Sequence, residues 1–499
     1  MVFNSASFLY FLPLAFFAFY FARDSRRWIV LLAASVAFYA VLKAPHLLVA
    51  LAFVSITAYY FGLGIQRAEG EPRKRLLFWT GVTASLLVLV YARYLPFLTT
   101  NTNLLLKSLG LDAAIPVPHA LISVGVSFYV FQAISYLSDV YLEVQEPEPH
   151  LGYFALYISF FPKLMQGPIE RAGDLLPQLH RKYEFSYDAI RSGLLLLGVG
   201  LFKKLILADR FAMIADPIYL DVHSHAGLPL IIGTYAYAFQ IFFDFSGYTD
   251  MALGVGRLFG IQLTNNFNSP YLATSVPDFW RRWHITFSRW ILDYIFKPVQ
   301  MYLRQYRTVG TVIALFATFF VSGLWHGANW HYVAWGVLHG GYMIASVIAA
   351  PYLKRLYRSL KLEKTTALRV WQIVATFNLV CLAWVFFRAD GMSDALYVVT
   401  HLFSGLPGQI AGIFSDMSPV AIVKHAYVAL FPGQDRLTLP TLIVAGCFML
   451  ALQAMDRPQS RRPLAEQPAV VRWAAYYALG AFILVLGNFG QSSFIYFKF

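Results

Sequence analysis

Charged residues are scarce in this sequence. They make up 13% of the 499 residues, whereas 58% are hydrophobic and 17% aromatic; soluble domains carry roughly 25% charged residues. Strand-like alternation is absent too, and the apolar runs are too long for barrel strands. Only helices then satisfy every backbone amide inside lipid. These features predict an all-α integral membrane protein.

Acidic residues are also few. Lys and Arg number 39 against 26 Asp and Glu, a net charge of +13, which in a soluble protein would suggest a nucleic-acid partner. Here the basic residues cluster in short connections at residues 23–27 and 67–75, whereas the turn near Lys43 and residues 99–118 have few. This positive-inside pattern places the N-terminus outside and the two basic loops in the cytoplasm. We therefore expect no nucleic-acid partner, although the charge could also attract an anionic cytosolic cofactor.

Cysteines and several catalytic motifs are missing as well. Two cysteines occur, Cys381 and Cys447, both in apolar runs, which excludes a disulfide framework and predicts two small core residues. The sequence has no H-E-x-x-H motif, no G-x-S-x-G elbow and no phosphate loop. Zinc hydrolysis, a serine triad and ATP-driven work are therefore unsupported.

The apolar runs predict a bundle of about 11–14 helices in one polytopic domain. We divide it into N-terminal peripheral helices (1–118), a catalytic core (119–345) and C-terminal helices (346–499). Predicted spans cover residues 8–21, 28–42, 47–65, 76–91, 120–140, 193–207, 228–259, 370–387, 442–454 and 473–486. A looser polar stretch is expected before residue 439, and an amphipathic interfacial segment at 174–192.

Two sets of polar residues interrupt these spans. Five Pro, Gly, Lys and Gln residues within 162–168 predict a broken or re-entrant helix, because irregular backbone at membrane depth must line protein or water. Asp244 and Asp250, at i and i+6, point about 120° apart on a helix. Either each is held by a neighbouring Arg, Lys or backbone group, or one takes part in chemistry directly. Two small-xxx-small pairs, Gly256 with Gly260 and Gly336 with Gly340, predict close helix packing.

Residues 278–339 hold four of the twelve histidines and six of the eleven tryptophans. A histidine inside a span must face protein or an aqueous cavity, so His284 and His326 are candidate site residues. On one helix His331 and His339 would each point about 140° away from His326, which does not favour a metal site. Gly327 and Asn329 can interrupt the helix and let His326 project into a cavity.

A neutral buried imidazole suits acyl transfer. It can accept the proton of a hydroxyl that attacks an acyl carbon, and a thioester donor is already activated, so one base and a group for the oxyanion would suffice. Burial keeps histidine in the neutral, accepting form. The alternative for each histidine is a satisfied hydrogen-bonder of the core, a choice that residue spacing leaves open.

Several stretches share a family likeness. They are FWRRWHITFSRWILDYIF, GLWHGANWHYVAWG, VGVSFYVFQAISYLSDVY, FFPKLMQGPIER, GLFKKLILADRFA, QIFFDFSGYTDMALGVGRLFGI, LAWVFFRAD and the terminal SSFIYFKF. Together they resemble the membrane-bound O-acyltransferase (MBOAT) family, in the bacterial branch of alginate O-acetylation proteins and D-alanyl-lipoteichoic acid acyltransferases. The likeness spans nearly the whole chain.

The resemblance implies a helical bundle with re-entrant segments around a central tunnel, with His326 as the catalytic histidine and His284 as a second site residue. Trp283, Trp325, Asn329 and Asp250 are further candidates for the tunnel lining. The resemblance also implies an enzyme of the bacterial inner membrane that passes an acyl group, with acetyl expected, from acetyl-CoA or another acyl thioester to an exported polysaccharide or cell-wall glycan. A periplasmic SGNH-hydrolase-like partner is expected, and neither a metal nor a permanently bound cofactor.

Two other functions remain open at this stage. The chain could be a transporter or flippase that uses residues 162–168 as a gate, or a scaffold that recruits a secreted acyltransferase. Replacement of His326 by Ala discriminates the enzyme from the transporter, and a scaffold predicts that the purified protein, with its partner present, turns over no acyl donor.

Overall fold

The computed structural model describes residues 1–111, 114–119, 121–415, 418–430, 435, 437–456, 464–490 and 493–497. Within these residues the regular structure is helical and no strand occurs. Side-chain caps begin several helices: the Ser5 hydroxyl accepts from the Phe8 amide, Ser186 caps the tenth helix and Thr365 the eighteenth. The all-α architecture predicted from the sequence is confirmed.

The first half of the chain forms twelve helices. They are α1 (Ala6–Phe21), α2 (Arg27–Ala40), α3 (Pro45–Arg67), α4 (Glu71–Leu89), α5 (Leu95–Ser108), α6 (Val126–Tyr141), α7 (Leu151–Ser159), α8 (Phe161–Leu164), α9 (Ala172–Leu179), α10 (Tyr187–Phe202), α11 (Asp209–Leu220) and α12 (Leu228–Leu258). π-helical segments join α4 to α5 (Val90–Tyr94) and α10 to α11 (Lys203–Ala208). Such segments are rare and often mark functional sites.

The second half contributes eleven helices among the described residues. They are α13 (Val276–Trp280), α14 (Ile285–Ile291), α15 (Lys297–Tyr302), α16 (Arg307–His326), α17 (Trp330–Ser359), α18 (Thr366–Arg388), α19 (Met392–His401), α20 (Leu406–Ile413), α21 (Pro419–Leu430), α22 (Thr438–Asp456) and α23 (Ala469–Leu486). A third π-helical segment, Leu292–Phe296, joins α14 to α15.

Eight helical stretches of the described chain are long and apolar enough to cross a membrane. They are Pro45–Arg67, Glu71–Ser108, Leu228–Leu258, Arg304–His326, Trp330–Ser359, Thr366–Arg388, Thr438–Met455 and Ala469–Leu486. α12 is the most enclosed: 56% of its apolar window is buried, against 6% for α23. The core therefore sits around α12, which packs against α10, α11 and α18.

Glycines allow α10 and α12 to approach closely. A Cβ added to Gly200 would lie 2.5 Å from the Gly247 carbonyl oxygen, and one added to Gly254 would lie 2.6 Å from the Gly193 oxygen. Such distances exclude any side chain, so the two backbones touch directly. This contact brings the π-helical segment that follows α10, with Lys203 and Lys204, against the middle of α12.

Three sequence predictions are wrong in detail. The stretch expected to be loose contains α19, α20 and α21. The predicted interfacial segment at 174–192 contains the end of α9, at Leu179, and the start of α10, at Tyr187; its interfacial position stays a prediction. Gly260 does not pack between helices but ends α12 with φ +73°, where the Ile261 amide donates to the Gly256 oxygen. Cys447 is exposed on α22, whereas Cys381 is buried.

The other predictions about packing agree with the structure. A Cβ at Gly336 would lie 2.3 Å from the Phe319 oxygen, so the close contact of α16 and α17 does depend on glycine. The predicted break at 162–168 is present, because α8 ends at Leu164 and irregular backbone follows to Arg171.

Candidate active site

His326 is the last residue of α16. A Cβ on the next residue, Gly327, would lie 2.2 Å from the ring of Tyr332, so glycine is required for this close turn. The chain then re-enters a helix at Trp330. The predicted interruption is confirmed, and the angles calculated for one continuous helix do not apply to His326 and His331.

A narrow cavity, which we call the histidine cavity, adjoins His326 and has a volume of about 20 Å³. Its lining contains Arg93, Ser123, Gly125, Ser127, Phe128, Met165, Trp325, His326 and Tyr496. Arg93 is the only permanently charged side chain in this set, and no carboxylate belongs to it. A nucleophile bound here would meet imidazole, hydroxyl and guanidinium groups inside largely aromatic walls.

His284 lies between α13 and α14 in the left-handed region, with φ 42° and ψ 57°. Few non-glycine residues adopt it, and strain of this kind often occurs at functional sites. The buried Asn266 holds the turn. Its backbone oxygen accepts from the Ile285 amide (3.0 Å), and its Oδ1 accepts from the amide (3.1 Å) and hydroxyl (2.7 Å) of Thr286. The strained conformation is therefore stabilised on both sides of the imidazole.

Asn266 also sets the tautomer of His284. The Nδ1 atom of His284 lies 3.3 Å from Asn266 Oδ1, which is an acceptor, so Nδ1 carries the proton. Nε2 is then the nitrogen with a free lone pair. It is buried, and no described residue hydrogen-bonds to it. His284 is thus prepared to accept a proton or a hydrogen bond at Nε2.

The imidazole rings of His284 and His326 lie close to the same pair of stacked aromatic rings, Phe287 and Trp325. Phe287 and Trp325 stack at 4.2 Å between centroids. The His284 ring lies 5.2 Å from Phe287 and 6.0 Å from Trp325. The His326 ring lies 5.8 Å and 4.6 Å from the same two rings. Folding therefore brings together the two histidines that the sequence singled out.

Arg93 ties the π-helical segment Val90–Tyr94 to the end of α16. Its guanidinium donates to the His326 carbonyl oxygen and, at 3.0 Å, to the Ser127 hydroxyl. The neighbouring Tyr94 hydroxyl donates to the Leu324 oxygen at 2.7 Å. A cation at a helix C-terminus is favourable, since the last carbonyls have no partner within the helix. Arg93 consequently fixes the backbone of His326 and also lines its cavity.

The C-terminal segment, residues 493–497, forms another wall. The Tyr496 ring lies 5.9 Å from His326 and 4.4 Å from Phe245, which itself lies 4.7 Å from His284. The Ile495 amide donates to Asp244 Oδ2 at 2.9 Å. Asp244 in turn pairs with Lys204 (2.8 Å), which also binds Asp209 (2.9 Å). We call Lys204, Asp209 and Asp244 the ion cluster; it anchors the segment that carries Tyr496.

Comparison with known proteins identifies the family. The model of "MBOAT, membrane-bound O-acyltransferase family" matches residues 34–385, which include both histidines and the helices that hold them. The chain belongs to this family. The MBOAT protein described here is therefore an acyltransferase with multiple membrane spans.

Two relatives of this MBOAT protein are similar over almost their whole length. The peptidoglycan O-acetyltransferase of Helicobacter pylori is 31% identical over 100% of this chain and 98% of its own. A Pseudomonas aeruginosa protein named as a probable alginate O-acetylase is 35% identical over 96% of this chain and 92% of its own. The teichoic acid D-alanyltransferase of Streptococcus thermophilus is 30% identical over 53% of this chain and 67% of its own.

Of the four further residues suggested for the tunnel lining, only Trp325 lines the histidine cavity within the described chain. Trp283 is buried in the core and does not line this cavity; its ring centroid lies 5.1 Å from that of Trp384 and 5.5 Å from that of Phe279. Asn329 is exposed at the start of α17. Asp250 pairs with Lys203 at 2.6 Å, and both line a different cavity. Pairing with lysine, one of the two alternatives for Asp244 and Asp250, is therefore what the structure contains.

The remaining two histidines of the 278–339 stretch have partners in the core. The Nδ1 atom of His331 lies 2.8 Å from the Phe386 oxygen, and the indole N–H of Trp280 donates to His339 Nδ1 at 3.3 Å. Trp335 separates His339 from His326, with ring distances of 4.8 Å and 4.7 Å. His331 and His339 are therefore packed in the core and do not line the histidine cavity.

Sequence reasoning missed Asn266, Arg93 and Tyr496. Arg93 had a usable signal, because a charged residue inside an apolar run is expensive in a membrane. Tyr496 lies in the terminal stretch SSFIYFKF, and Asn266 begins NFNSPYLATSVPDFWRRWHIT, another family-like stretch. The likeness gave neither residue a role, and only the fold brings them to the histidines.

Proposed function

We propose that this protein is an inner-membrane O-acetyltransferase. It moves an acetyl group from a cytosolic thioester, acetyl-CoA or another acyl thioester, to hydroxyl groups of an exported polysaccharide or cell-wall glycan. The names of the full-length relatives, a peptidoglycan O-acetyltransferase and a probable alginate O-acetylase, support this class of acceptor. The observation that carries the proposal is His326, buried at a helix end in a cavity that it shares with Arg93.

In the proposed reaction His326 acts as the general base. It takes the proton of the attacking hydroxyl while the hydroxyl oxygen forms a bond to the thioester carbon. When the carbon–sulfur bond breaks, the imidazolium returns the proton to the leaving thiolate. General-base catalysis of this kind contributes roughly 10²–10⁴-fold. Arg93 supplies positive charge where the carbonyl oxygen becomes an oxyanion.

His284 assists from the other side of the Phe287–Trp325 pair. With its proton fixed on Nδ1 by Asn266, its Nε2 can accept a hydrogen bond from the hydroxyl substrate or from a water that orients it. The aromatic walls restrict bulk water, which limits hydrolysis of the thioester. Two neutral imidazoles in such surroundings favour transfer to a bound hydroxyl.

The charge pattern supports one orientation. With the basic connections at 23–27 and 67–75 in the cytoplasm, the N-terminus is periplasmic. The donor then approaches from the cytoplasm and the glycan from the periplasm, so that only the acetyl group crosses. A secreted SGNH-hydrolase-like protein would act as the periplasmic partner.

The test is acyl transfer by purified protein in proteoliposomes. Acetyl-CoA is supplied on one side, alginate or peptidoglycan fragments with the secreted partner on the other, and both thiol release and acetyl ester are measured. His326→Ala should lower the rate by about 10²–10⁴-fold. His331→Gln, at a buried histidine outside the histidine cavity, should stay within a few-fold of wild type.

The result also separates the rival functions. Full acylation by a correctly folded His326→Ala variant would remove His326 from the mechanism. A wild-type protein that releases no thiol with any donor or acceptor, while moving intact acyl or glycan intermediates across the bilayer, would replace the enzyme by a flippase. Supplying the acetyl group on acyl-carrier protein instead of CoA identifies the donor.

A further inference from the structure

Two adjoining cavities lie between α10, α12, α22 and α23, away from the histidine cavity. The first has a volume of about 230 Å³ and the second about 420 Å³. They share Arg191, Leu195 and Tyr476 as lining residues. Together they form one continuous site with a polar part and an apolar part, which no step of the proposed reaction uses.

The polar part is basic. Arg191, Arg257 and Lys203 line the first cavity and Arg472 the second, whereas Asp250 is the one acidic residue in either lining. Lys203 is neutralised by Asp250 at 2.6 Å. The charge of Arg191 is only weakly neutralised, because its ion-pair partner Asp188 is 80% exposed to solvent. A surplus of positive charge therefore remains at the mouth of the site.

The apolar part is a groove between α10 and α23. Leu194, Leu479 and Ile483 line it. Gly480 leaves it open, because a Cβ at this position would meet nothing within 4 Å, whereas Leu479 packs against Gly198, 3.0 Å from where a Cβ would lie. α23 is also the least enclosed of the eight spanning stretches. The apolar lining of the groove suits an acyl chain.

The site lies at the end of the bundle that carries a basic connection. The Tyr20 hydroxyl, at the end of α1, donates to the Leu258 oxygen next to Arg257, and Arg27 donates to the Tyr183 oxygen just before α10. Tyr187 and Trp473 line the second cavity, and such aromatic residues are enriched at membrane interfaces. By the positive-inside rule this end faces the leaflet that is rich in anionic lipid.

We propose that these cavities bind one anionic phospholipid, with the phosphate between Arg191 and Arg257 and an acyl chain in the groove between α10 and α23. The lipid replaces protein contacts that α23 lacks and holds this helix against α10. The proposal is independent of acyl transfer, because neither cavity contains a residue of the histidine site.

The test measures lipid binding to the full-length protein in mild detergent. Native mass spectrometry should show one retained phosphatidylglycerol per chain, and adding phosphatidylglycerol to delipidated protein should raise the melting temperature more than phosphatidylethanolamine does. The double variant Arg191→Gln with Arg257→Gln should bind phosphatidylglycerol about tenfold more weakly or worse, as expected for two basic residues at a lipid surface. Arg355→Gln, at an exposed arginine of α17, should bind like wild type.

A second variant tests the groove. Gly480→Leu fills open space and should weaken binding of phosphatidylglycerol while leaving the fold intact. Equal binding of the two lipids, or unchanged binding by both variants, would overturn the proposal. Equal stabilisation by inorganic phosphate would also overturn it, because the site would then take a soluble phosphate compound.

Discussion

Two groups of buried polar side chains, the ion cluster and the histidine site, contact the C-terminal segment. They differ in whether their polar atoms have ion-pair or hydrogen-bond partners. In the ion cluster Lys204 binds Asp209 and Asp244 at 2.9 Å and 2.8 Å, and all three side chains are at most 4% exposed. At the histidine site the Nε2 atom of His284 and the Nδ1 atom of His326 are buried without a partner among the described residues.

The difference assigns the two groups to different roles. A buried charge is tolerated only when it is paired, so a fully paired cluster stabilises the fold. A buried imidazole nitrogen without a partner costs free energy, a cost that is often found at functional sites. An unpaired nitrogen does not identify a site by itself, because Nε2 of His339, which does not line the histidine cavity, is also buried without a partner among the described residues.

The largest expected effect is on the scaffold. Lys204→Met leaves two carboxylates buried without a cation, and we expect a loss of about 3–5 kcal/mol in stability. The thermal melting of the purified protein in detergent measures it. Lys203→Met is the matched control, because its partner Asp250 is partly exposed. Equal melting shifts for the two variants would abolish the distinction between them.

Asn266→Ala should affect both stability and activity. It removes the acceptor of two Thr286 hydrogen bonds and the group that fixes the His284 tautomer. We expect a loss of about 1–3 kcal/mol in stability and a fall in kcat of at least about tenfold, because the wrong tautomer becomes accessible. Asn265→Ala, at the exposed neighbour, is the control. An unchanged kcat would show that Nε2 of His284 is not used.

Arg93→Gln should lower stability by about 1–2 kcal/mol, since the charged donor at the end of α16 is lost. If Arg93 also stabilises the oxyanion, kcat falls while KM for the donor changes little. Steady-state kinetics in proteoliposomes separate the two effects. The control is Arg289→Gln, at an exposed arginine of α14. A loss of melting temperature without a loss of kcat would assign Arg93 to the scaffold alone.

Asp250→Asn should have the smallest effect. The Lys203–Asp250 pair is partly exposed to a cavity, and such pairs contribute about 0–1 kcal/mol. Acyl transfer should remain near wild type, because Asp250 does not line the histidine cavity. A large drop in transfer would revive the direct chemical role that the sequence left open for this carboxylate.

Much of the architecture was predictable because it depends on local sequence. Long apolar runs predicted the membrane spans, and the glycine after His326 predicted the end of α16. The helices α19 to α21 were missed because polar residues are spaced along short amphipathic helices, which a search for long apolar runs overlooks. Gly260 was misjudged because a helix end and a helix contact both favour glycine.

The sequence by itself determined the class of protein, its family and the two histidines, because lipid exposure and a scarcity of polar residues in apolar runs can be read from composition and order. Only the tertiary structure decided which polar residues act together. It joined His284 to Asn266, His326 to Arg93 and the C-terminal segment to the ion cluster, since these contacts join residues that are distant in the chain and depend on helix packing.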